Sequence, residues 1–429
     1  MQFLDERIIA LLIFVVTYVL LATEYREATI ATMAGVGAIW LFGILTPEEM
    51  FAYVDLNAIG LLFGTMIIVG ALSEAHFFQW VGISVANACR CRPTYLLVLF
   101  TLMTGGLSAL LPNVTTVLFM VTITVEVAGL LKLNPKPYIL SEILASNIGG
   151  VATLIGDPPN MMIATATGFS FLDFVANVGL ISLVGLFVSL AYTWSRFRNS
   201  MNVADASVAQ QEYTTLLKMP DMSTDRRLLW TGLITLAGTV ALFCLQDILG
   251  LYPTTVALLA AIIILFVGGP KMADILKDVE WSTLIFFGSL FIIVGALEKT
   301  GWMASLAQSI LIFVGGNTAV GLSVILWVIS LMSAFVNNIP FAAAFIPVLK
   351  SLEAGSGLNV YPFWWALAAG TGLGGNGTII GASSNVIAIG LAKARGVRIT
   401  FFEFAKIGMV VLVLTTLVAN LILLLKFLL

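Results

Sequence analysis

Apolar runs, each about as long as a helix that crosses a bilayer, recur along the whole chain and are separated by short polar segments. Since about 20 helical residues cross ~30 Å of hydrocarbon, these runs predict membrane-spanning helices. The predicted spans are 8–22, 28–45, 57–73, 138–168, 174–195, 228–246, 252–268, 281–297, 361–392 and 403–425. Two of them, 138–168 and 361–392, contain clustered Gly and Asn and are therefore predicted to be broken helices.

Two further apolar stretches, 94–131 and 319–350, are too long for one span, and each has a polar break at its middle. Basic residues such as Arg92 and Lys132 lie at both ends of the first stretch, which predicts that both ends are cytoplasmic. The corresponding ends of the second stretch carry few charges and are expected outside. Each stretch is therefore predicted to be a re-entrant hairpin. A pair of full spans would leave the loop charges unchanged and stays open as an alternative.

The chain repeats itself at one constant spacing, here called the repeat offset. The residues at 67–72 return letter for letter at 292–297, and at the same offset Asn113 meets Asn338. One offset without insertions indicates a duplicated unit. Matching loops have opposite charge bias, so the two copies are expected to lie upside-down relative to each other. The predicted fold is an all-α polytopic membrane protein: an inverted repeat with about ten transmembrane helices, two re-entrant hairpins and two broken helices.

The predicted organisation is a first repeat at 1–195, a linker at 196–227 and a second repeat at 228–429. The linker carries five basic residues against four acidic ones, which predicts a cytoplasmic location. When the predicted spans are counted in both directions from a cytoplasmic linker, both termini are placed outside. The expected location is a plasma membrane, the inner membrane of a bacterium or an archaeon.

The composition excludes a soluble protein. Of 429 residues, 60% are hydrophobic and only 10% are charged, whereas a soluble domain carries roughly 25% charged residues. A formal net charge of −3 gives no basic footprint for nucleic acid. The single histidine, His76, and three cysteines, Cys89, Cys91 and Cys244, make no metal-binding spacing. Neither a cofactor nor a metal is expected, and no His/Cys/Asp cluster suggests an enzyme.

Four non-helical segments are expected at membrane depth, where such backbone survives only against protein or water. They are the two hairpin tips and the helix breaks at 147–160 and 374–385. Glycine permits unwinding and close backbone approach, and the N-termini of half-helices offer N–H groups to an anion or a polar oxygen. Small residues also pack ordinary membrane helices, but their recurrence with Asn and Thr in both copies favours a substrate site. Its predicted members in these segments include Gly149, Gly150, Thr153, Asn337, Gly374 and Gly375.

Three acidic residues are candidates for proton or ion coupling, because an ionisable side chain at membrane depth is by default a functional candidate. Asp157 lies inside the first break, Glu142 shortly before Asn147, and Glu126 on the second arm of the first hairpin. Asp157 is the first candidate, and a structural cap on the following half-helix is its alternative. For Glu142, a position near the cytoplasmic interface is the alternative.

The segments NIGGVATLIGDPPN at 147–160 and LGGNGTIIGASSN at 373–385 are similar to the two unwound-helix signatures of the ion transporter superfamily. The similarity is to the branch of ArsB-type arsenite pumps, NhaD-type sodium/proton antiporters and the melanosomal P protein. LSALLPNVTT and SAFVNNIPF resemble the hairpin tips of that branch, and the resemblance covers nearly the whole chain. It implies two half-sites, one lined by Asn113, Thr115, Asn147 and Asn160 and the other by Asn338, Asn376, Thr378 and Asn385.

The chain departs from that branch at both tips, where many members carry Asp before the Asn and this chain has Pro112 and Asn337. Fewer carboxylates disfavour Na⁺/H⁺ exchange, which needs negative charge to hold Na⁺. Neutral As(OH)₃ fits a lining of Asn, Thr and Gly better, and ArsB-type members resemble this chain in having Asn-Asn before Pro at the second tip.

The sequence therefore predicts a secondary transporter that couples arsenite or antimonite efflux to H⁺ by alternating access. A Na⁺/H⁺ antiporter and an inorganic or carboxylate anion transporter are the alternatives. A channel would use the same breaks as a filter, but an inverted repeat favours alternating access. A homodimer and an ATPase subunit stay open as partners.

Overall fold

The computed structural model describes residues 5–23, 27–78, 80–81, 84, 92–198, 226–269, 272–314, 317–355 and 358–428. Cys89, Cys91 and residues 199–225 of the predicted linker lie outside the described residues. So do residues 315–316 and 356–357, two loop segments on which the predicted orientation of the second copy partly rests.

Helices make up most of the described chain. In the first copy they are α1 (Glu6–Thr23), α2 (Ala28–Leu41), α3 (Pro47–Tyr53), α4 (Leu56–Glu74), α5 (Pro93–Ser108), α6 (Asn113–Leu130), α7 (Lys136–Gly150), α8 (Pro158–Thr167) and α9 (Phe171–Phe197). In the second copy they are α10 (Arg226–Cys244), α11 (Pro253–Gly268), α12 (Met272–Asp278), α13 (Trp281–Lys299), α14 (Trp302–Val314), α15 (Thr318–Ser333), α16 (Asn338–Gly355), α17 (Tyr361–Gly374), α18 (Ser383–Ala394) and α19 (Phe401–Leu428).

The limits of these helices follow the repeat offset found in the sequence. Helix α4 covers 56–74 and its counterpart α13 covers 281–299; α5 covers 93–108 and its counterpart α15 covers 318–333. In each pair, both ends are separated by the repeat offset. The predicted all-α polytopic membrane fold is confirmed, and the inverted orientation of the two copies stays a prediction.

Five of the described helices are long and apolar enough to cross a membrane unaided: α4, α9, α10, α13 and most of α19. Both broken spans are present, as the pairs α7–α8 and α17–α18, and both hairpins, as α5–α6 and α15–α16. In each copy, the second arm of the hairpin packs against the second half of the other copy's broken helix, α6 on α18 and α16 on α8. The two copies therefore cross each other at the centre of the molecule.

Three short helices were not predicted from the sequence. Helices α3 and α12 have 7 residues each, and α14 has 13. At 1.5 Å per residue, even α14 is only about 20 Å long, so all three are too short to cross the hydrocarbon. One side of α14 packs on α13 and α16, while Ile312 is 83% exposed. A helix with one packed and one exposed apolar side is typical of the membrane interface.

Close backbone contacts at glycine hold the hairpins against the broken helices. A Cβ added at Gly149 would overlap the carbonyl group of Gly105, and one added at Gly374 would overlap the carbonyl oxygen of Ser330. Gly149 and Gly374 are counterparts at the repeat offset, as are Gly105 and Ser330, so both copies use the same contact. Small residues are what permits such approach between membrane helices.

We expect Gly374→Ala to destabilise the protein, because the added methyl meets backbone that cannot rotate away. Overpacking of this kind costs about 1–3 kcal/mol. Gly390→Ala is the matched control: Gly390 is an exposed residue of α18 with nothing within 4 Å of an added Cβ, so helix propensity alone predicts a gain of up to about 1 kcal/mol. Thermal unfolding in detergent measures both. Equal midpoints for the two variants would contradict the proposed backbone contact.

Candidate functional site

The first helix break is held open by two side chains that hydrogen-bond to backbone carbonyls. Asn160 donates from Nδ2 to the carbonyls of Gly150, Val151 and Thr153, at 3.2, 3.2 and 2.8 Å. The hydroxyl of Thr153 donates to the carbonyl of Ala109 in the tip of the first hairpin. These bonds satisfy carbonyl groups that unwinding leaves without helical partners.

The second break uses the same bonds at the equivalent positions of the second copy. Asn385 donates from Nδ2 to the carbonyls of Gly375 and Thr378, at 2.7 and 2.9 Å. The hydroxyl of Thr378 donates to the carbonyl of Ala334. The amide nitrogens of Asn160 and Asn385, predicted to be substrate ligands, are therefore already bonded to the backbone. A direct substrate contact through them stays a prediction.

One buried asparagine joins the two breaks. The Nδ2 atom of Asn147 donates to Oδ1 of Asn376 at 3.0 Å and to Oδ1 of Asn385 at 2.9 Å. Its Oδ1 accepts from the hydroxyl of Ser384 at 3.0 Å. All four residues are buried. Since both hydrogens of the Asn147 amide group are used, this side chain fixes the position of one copy against the other.

Asp157 faces the tip of the opposite hairpin. Both carboxylate oxygens accept from Nδ2 of Asn338, at 3.2 and 3.1 Å. Asp157 occupies the N-cap position of α8 but forms no capping hydrogen bond with its side chain, so the capping alternative is not supported. A Cβ on Gly372 would lie 3.4 Å from Oδ2 of Asp157 and would overlap the side chain of Val151. The second copy thus provides the space in which the carboxylate sits.

At the first hairpin tip, Asn113 has an unused donor. Its Oδ1 accepts from the hydroxyl of Ser108, which lies 3.0 Å from the hydroxyl of Ser146. The Nδ2 atoms of Asn113 and Asn376 are buried and have no partner in the described part of the chain. Because a buried donor without a partner is costly, these two amides are the strongest candidates to bind a polar oxygen of a solute.

The other two predicted coupling acids do not join this cluster. Glu142 is buried and accepts from the hydroxyl of Thr124, while its Oε2 atom has no partner among the described residues. Glu126 is 55% exposed in an ion pair of 3.1 Å with Arg395. The structure therefore brings together Asp157 and most of the predicted asparagines, and places Glu126 at the surface. Of the remaining predicted ligands, Thr115 is half-buried with no hydrogen bond given among the described residues.

A cavity of about 730 Å³ reaches both hairpin tips from one side of the protein. Asn113 and Asn337 line its inner part together with Ser383, to which Asn337 donates at 2.8 Å. Glu27 and Glu280 line its outer part, at the start of α2 and immediately before α13. The loop charges predict that this side is cytoplasmic, so the cavity is a candidate inward-facing entrance.

The electrostatics of this cavity are negative. Its described lining includes Glu27 and Glu280 but neither lysine nor arginine. Burial raises the pKa of Glu280, and a hydrogen bond of 2.9 Å from Thr283 opposes that rise. Glu280 therefore takes up a proton at higher pH than an ordinary Glu. A negative entrance attracts cations and repels anions.

Sequence reasoning missed four of the polar residues in the cluster. Ser108 and Ser146 support Asn113, Ser383 binds Asn337, and Ser384 binds Asn147. Only Ser108 has an identical counterpart at the repeat offset, Ser333. A search for identities between the copies therefore could not find the other three.

Comparison with known proteins places the chain in a family. Residues 18–370 match the protein family CitMHS, described as "Citrate transporter". The chain belongs to the CitMHS citrate transporter family. Like the members it is similar to, it is a multi-pass membrane transporter.

The relatives include an uncharacterized transporter of Mycobacterium tuberculosis, which is 36% identical over 410 residues, 94% of this chain and 95% of the relative. The P protein of Sus scrofa is 29% identical over 491 residues, 96% of this chain and 58% of the P protein. The resemblance to the P protein is therefore confirmed. None of these relatives indicates an ArsB-type arsenite pump, which stays a prediction.

Among solved structures, the YdaH transporter of Alcanivorax borkumensis, whose crystal structure is described as having an unusual topology, matches with a TM-score of 0.61. The match covers 89% of this chain and 87% of the other at 17% identity. A match at that identity supports the fold of this chain and gives no information about its substrate.

We expect Asp157→Asn to abolish proton-coupled transport while the protein stays folded. An asparagine has the same shape and can still accept from Asn338, so the stability should change by about 1 kcal/mol or less. The variant cannot carry a proton. Solute-driven pH change inside proteoliposomes measures coupling, and thermal unfolding measures stability. Glu126→Gln, at the exposed ion pair, is the comparison and should retain coupling. Full coupling in Asp157→Asn would exclude Asp157 as the carrier.

Proposed function

We propose that the protein is a proton-coupled secondary transporter that moves a small, uncharged, hydrogen-bonding solute by alternating access. Arsenite and antimonite, as their neutral hydroxides, are the first candidates. The observation that carries this proposal is the central cluster, in which one carboxylate, Asp157, lies among buried amides from both copies.

Two cavities related by the repeat support alternating access. Besides the cavity of about 730 Å³, one of about 330 Å³ is lined by Asp55 and Met162. Their counterparts at the repeat offset, Glu280 and Ile387, line the larger cavity. The two cavities therefore share equivalent lining positions in the two copies, and one cavity is wider than the other. If each copy adopted the conformation that the other has here, the narrow cavity would open and the wide one would close.

The surroundings of Asp157 support a proton as the coupling ion. Asp157 is buried, and its only hydrogen-bond donor among the described residues is the neutral amide of Asn338. An uncompensated buried carboxylate costs several kcal/mol, and uptake of a proton removes that cost. Gain of the proton weakens the bonds to Asn338, and loss restores them. Proton binding is thereby linked to a contact between the copies.

The charge of the site supports an uncharged solute over an anion. Asp157 lies at the centre and Glu27 and Glu280 at the entrance, and the described lining of the cavity carries no cationic side chain. The donors left without partners, on Asn113 and Asn376, are neutral amides. Amides bind hydroxyl oxygens without retaining a charge, which suits a solute that must be released on the other side.

Citrate is the second candidate, because it is the solute named in the description of the family. Four helices, α6, α8, α16 and α18, begin at the hairpin tips and the helix breaks. Helix N-termini favour anions. The carboxylates of Asp157, Glu27 and Glu280 repel a free trivalent citrate anion. Citrate transport at this site would therefore require that protons or a cation neutralise the citrate charge.

Transport into everted membrane vesicles distinguishes the candidates. Arsenite, citrate and sodium are offered separately, with and without an ionophore that collapses the proton gradient. We expect arsenite uptake that is lost with the ionophore and lost in Asp157→Asn. Uptake of citrate without uptake of arsenite would contradict the proposed substrate and leave the transporter class intact.

We expect Glu27→Gln to report the charge of the solute. Glu27 lines the entrance, lies at the N-cap of α2 and makes no capping hydrogen bond with its side chain. Its removal should change KM for an uncharged solute by less than about twofold, raise KM for a cation and lower it for an anion, because only charged solutes feel the field. KM at low and high salt is the measurement. A KM for arsenite that rises severalfold only at low salt would contradict an uncharged substrate.

A further inference from the structure

A third cavity, separate from the transport site, has the chemistry of a phosphate site. It has a volume of about 290 Å³ and lies between α7, α9 and α19. Three cationic side chains line it, Lys136, Arg196 and Lys406, with one carboxylate, Glu403. Helices α7 and α9 belong to the first copy and α19 to the second, so the cavity is a seam between the copies.

Among the described residues, two of the three cations of this cavity are not paired with an acid. Glu403 pairs with Lys136 at 3.2 Å and also accepts from the backbone N–H of Thr400 at 2.8 Å. Arg196 and Lys406 have no hydrogen bond or ion pair with any residue that the structure describes. The first turn of α7 contains no acidic residue, so its positive helix end adds to the field. Two positive charges are therefore available to bind an anion.

Apart from Asn134, the remaining walls of the cavity are apolar, and they lie at the level of the membrane interface. Leu140 and Ile407 are buried in its floor. Trp194, shortly before Arg196, and Phe402, one helical turn before Lys406, are exposed, Phe402 by 83%. Exposed aromatic side chains at helix ends mark the boundary between hydrocarbon and headgroups. A ligand here would meet cations at one end and hydrocarbon at the other.

We propose that this cavity binds the phosphate group of an anionic phospholipid, with Arg196 and Lys406 as its ligands. Basic pockets between membrane helices on the cytoplasmic side are suited to anionic headgroups, and the loop charges predict that side here. The phosphate links the last helix of the first copy, α9, to the last helix of the second, α19. The bound lipid thereby stabilises the contact between the copies without touching the transport site.

Native mass spectrometry of the full-length protein, titrated with phosphatidylglycerol or phosphatidylcholine, tests the proposal. We expect phosphatidylglycerol to bind more tightly, and Arg196→Gln and Lys406→Gln each to weaken it about fivefold, the effect of one cation near an anionic lipid. Lys393→Gln is the matched control: the same charge change at an exposed lysine near the C-terminus of α18, outside the cavity. It should leave the affinity unchanged.

A parallel thermal-unfolding series separates the two sources of phosphate. Phosphatidylglycerol should raise the unfolding midpoint of the wild-type protein, and inorganic phosphate should not. Equal stabilisation by inorganic phosphate would overturn the lipid assignment. Equal affinity for the two lipids, or unchanged binding in both cavity variants, would overturn the site. Because Arg196 and Lys406 are exposed, each single variant should fold, and the mass spectrum reports binding on folded protein only.

Discussion

Unwound backbone at membrane depth is the constraint on which this structure depends. Each carbonyl group released from a helix in a non-aqueous surrounding costs several kcal/mol unless it finds a donor. Here the donors are side chains placed identically in both copies: the amides of Asn160 and Asn385 and the hydroxyls of Thr153 and Thr378. These bonds therefore stabilise the unwound backbone of both breaks.

The side-chain hydrogen bonds of Asn147 and Asp157 join one copy to the other. Asn147 binds Asn376 and Asn385, and Asp157 binds Asn338. Contacts within a copy, by contrast, are tight and rigid, such as the backbone approach at Gly149. A molecule that is stiff within each half and polar between the halves can change the angle between them at moderate cost. This is the mechanical requirement for exposing one site to two sides in turn.

The sequence was sufficient for the architecture because duplicated patterns reinforce each other. Breaks and hairpins lie where the repeat offset predicted them, and so do the pairs Asn113 with Asn338 and Asn160 with Asn385. The function of each amide could not be predicted in this way, since a sequence does not show whether Asn160 donates to a solute or to its own backbone. Helix α14 was missed because a short interfacial helix looks like loop in a search for spans. Identity between the copies located the scaffold. Asn147 and Asp157 have no identical counterparts, because the second copy carries Gly372 and Ala382 at the equivalent positions.

That last difference bears on how the chain arose. A half-length ancestor that inserted in both orientations and paired with itself would have presented every residue twice. An aspartate at the position of Asp157 would then have buried two acids in one core, and an asparagine at the position of Gly372 would have filled the space that the acid occupies. Fusion of two genes allows the halves to diverge. Because the two halves differ at these positions, the central cluster holds Asp157 without a second acid from the equivalent position of the other copy.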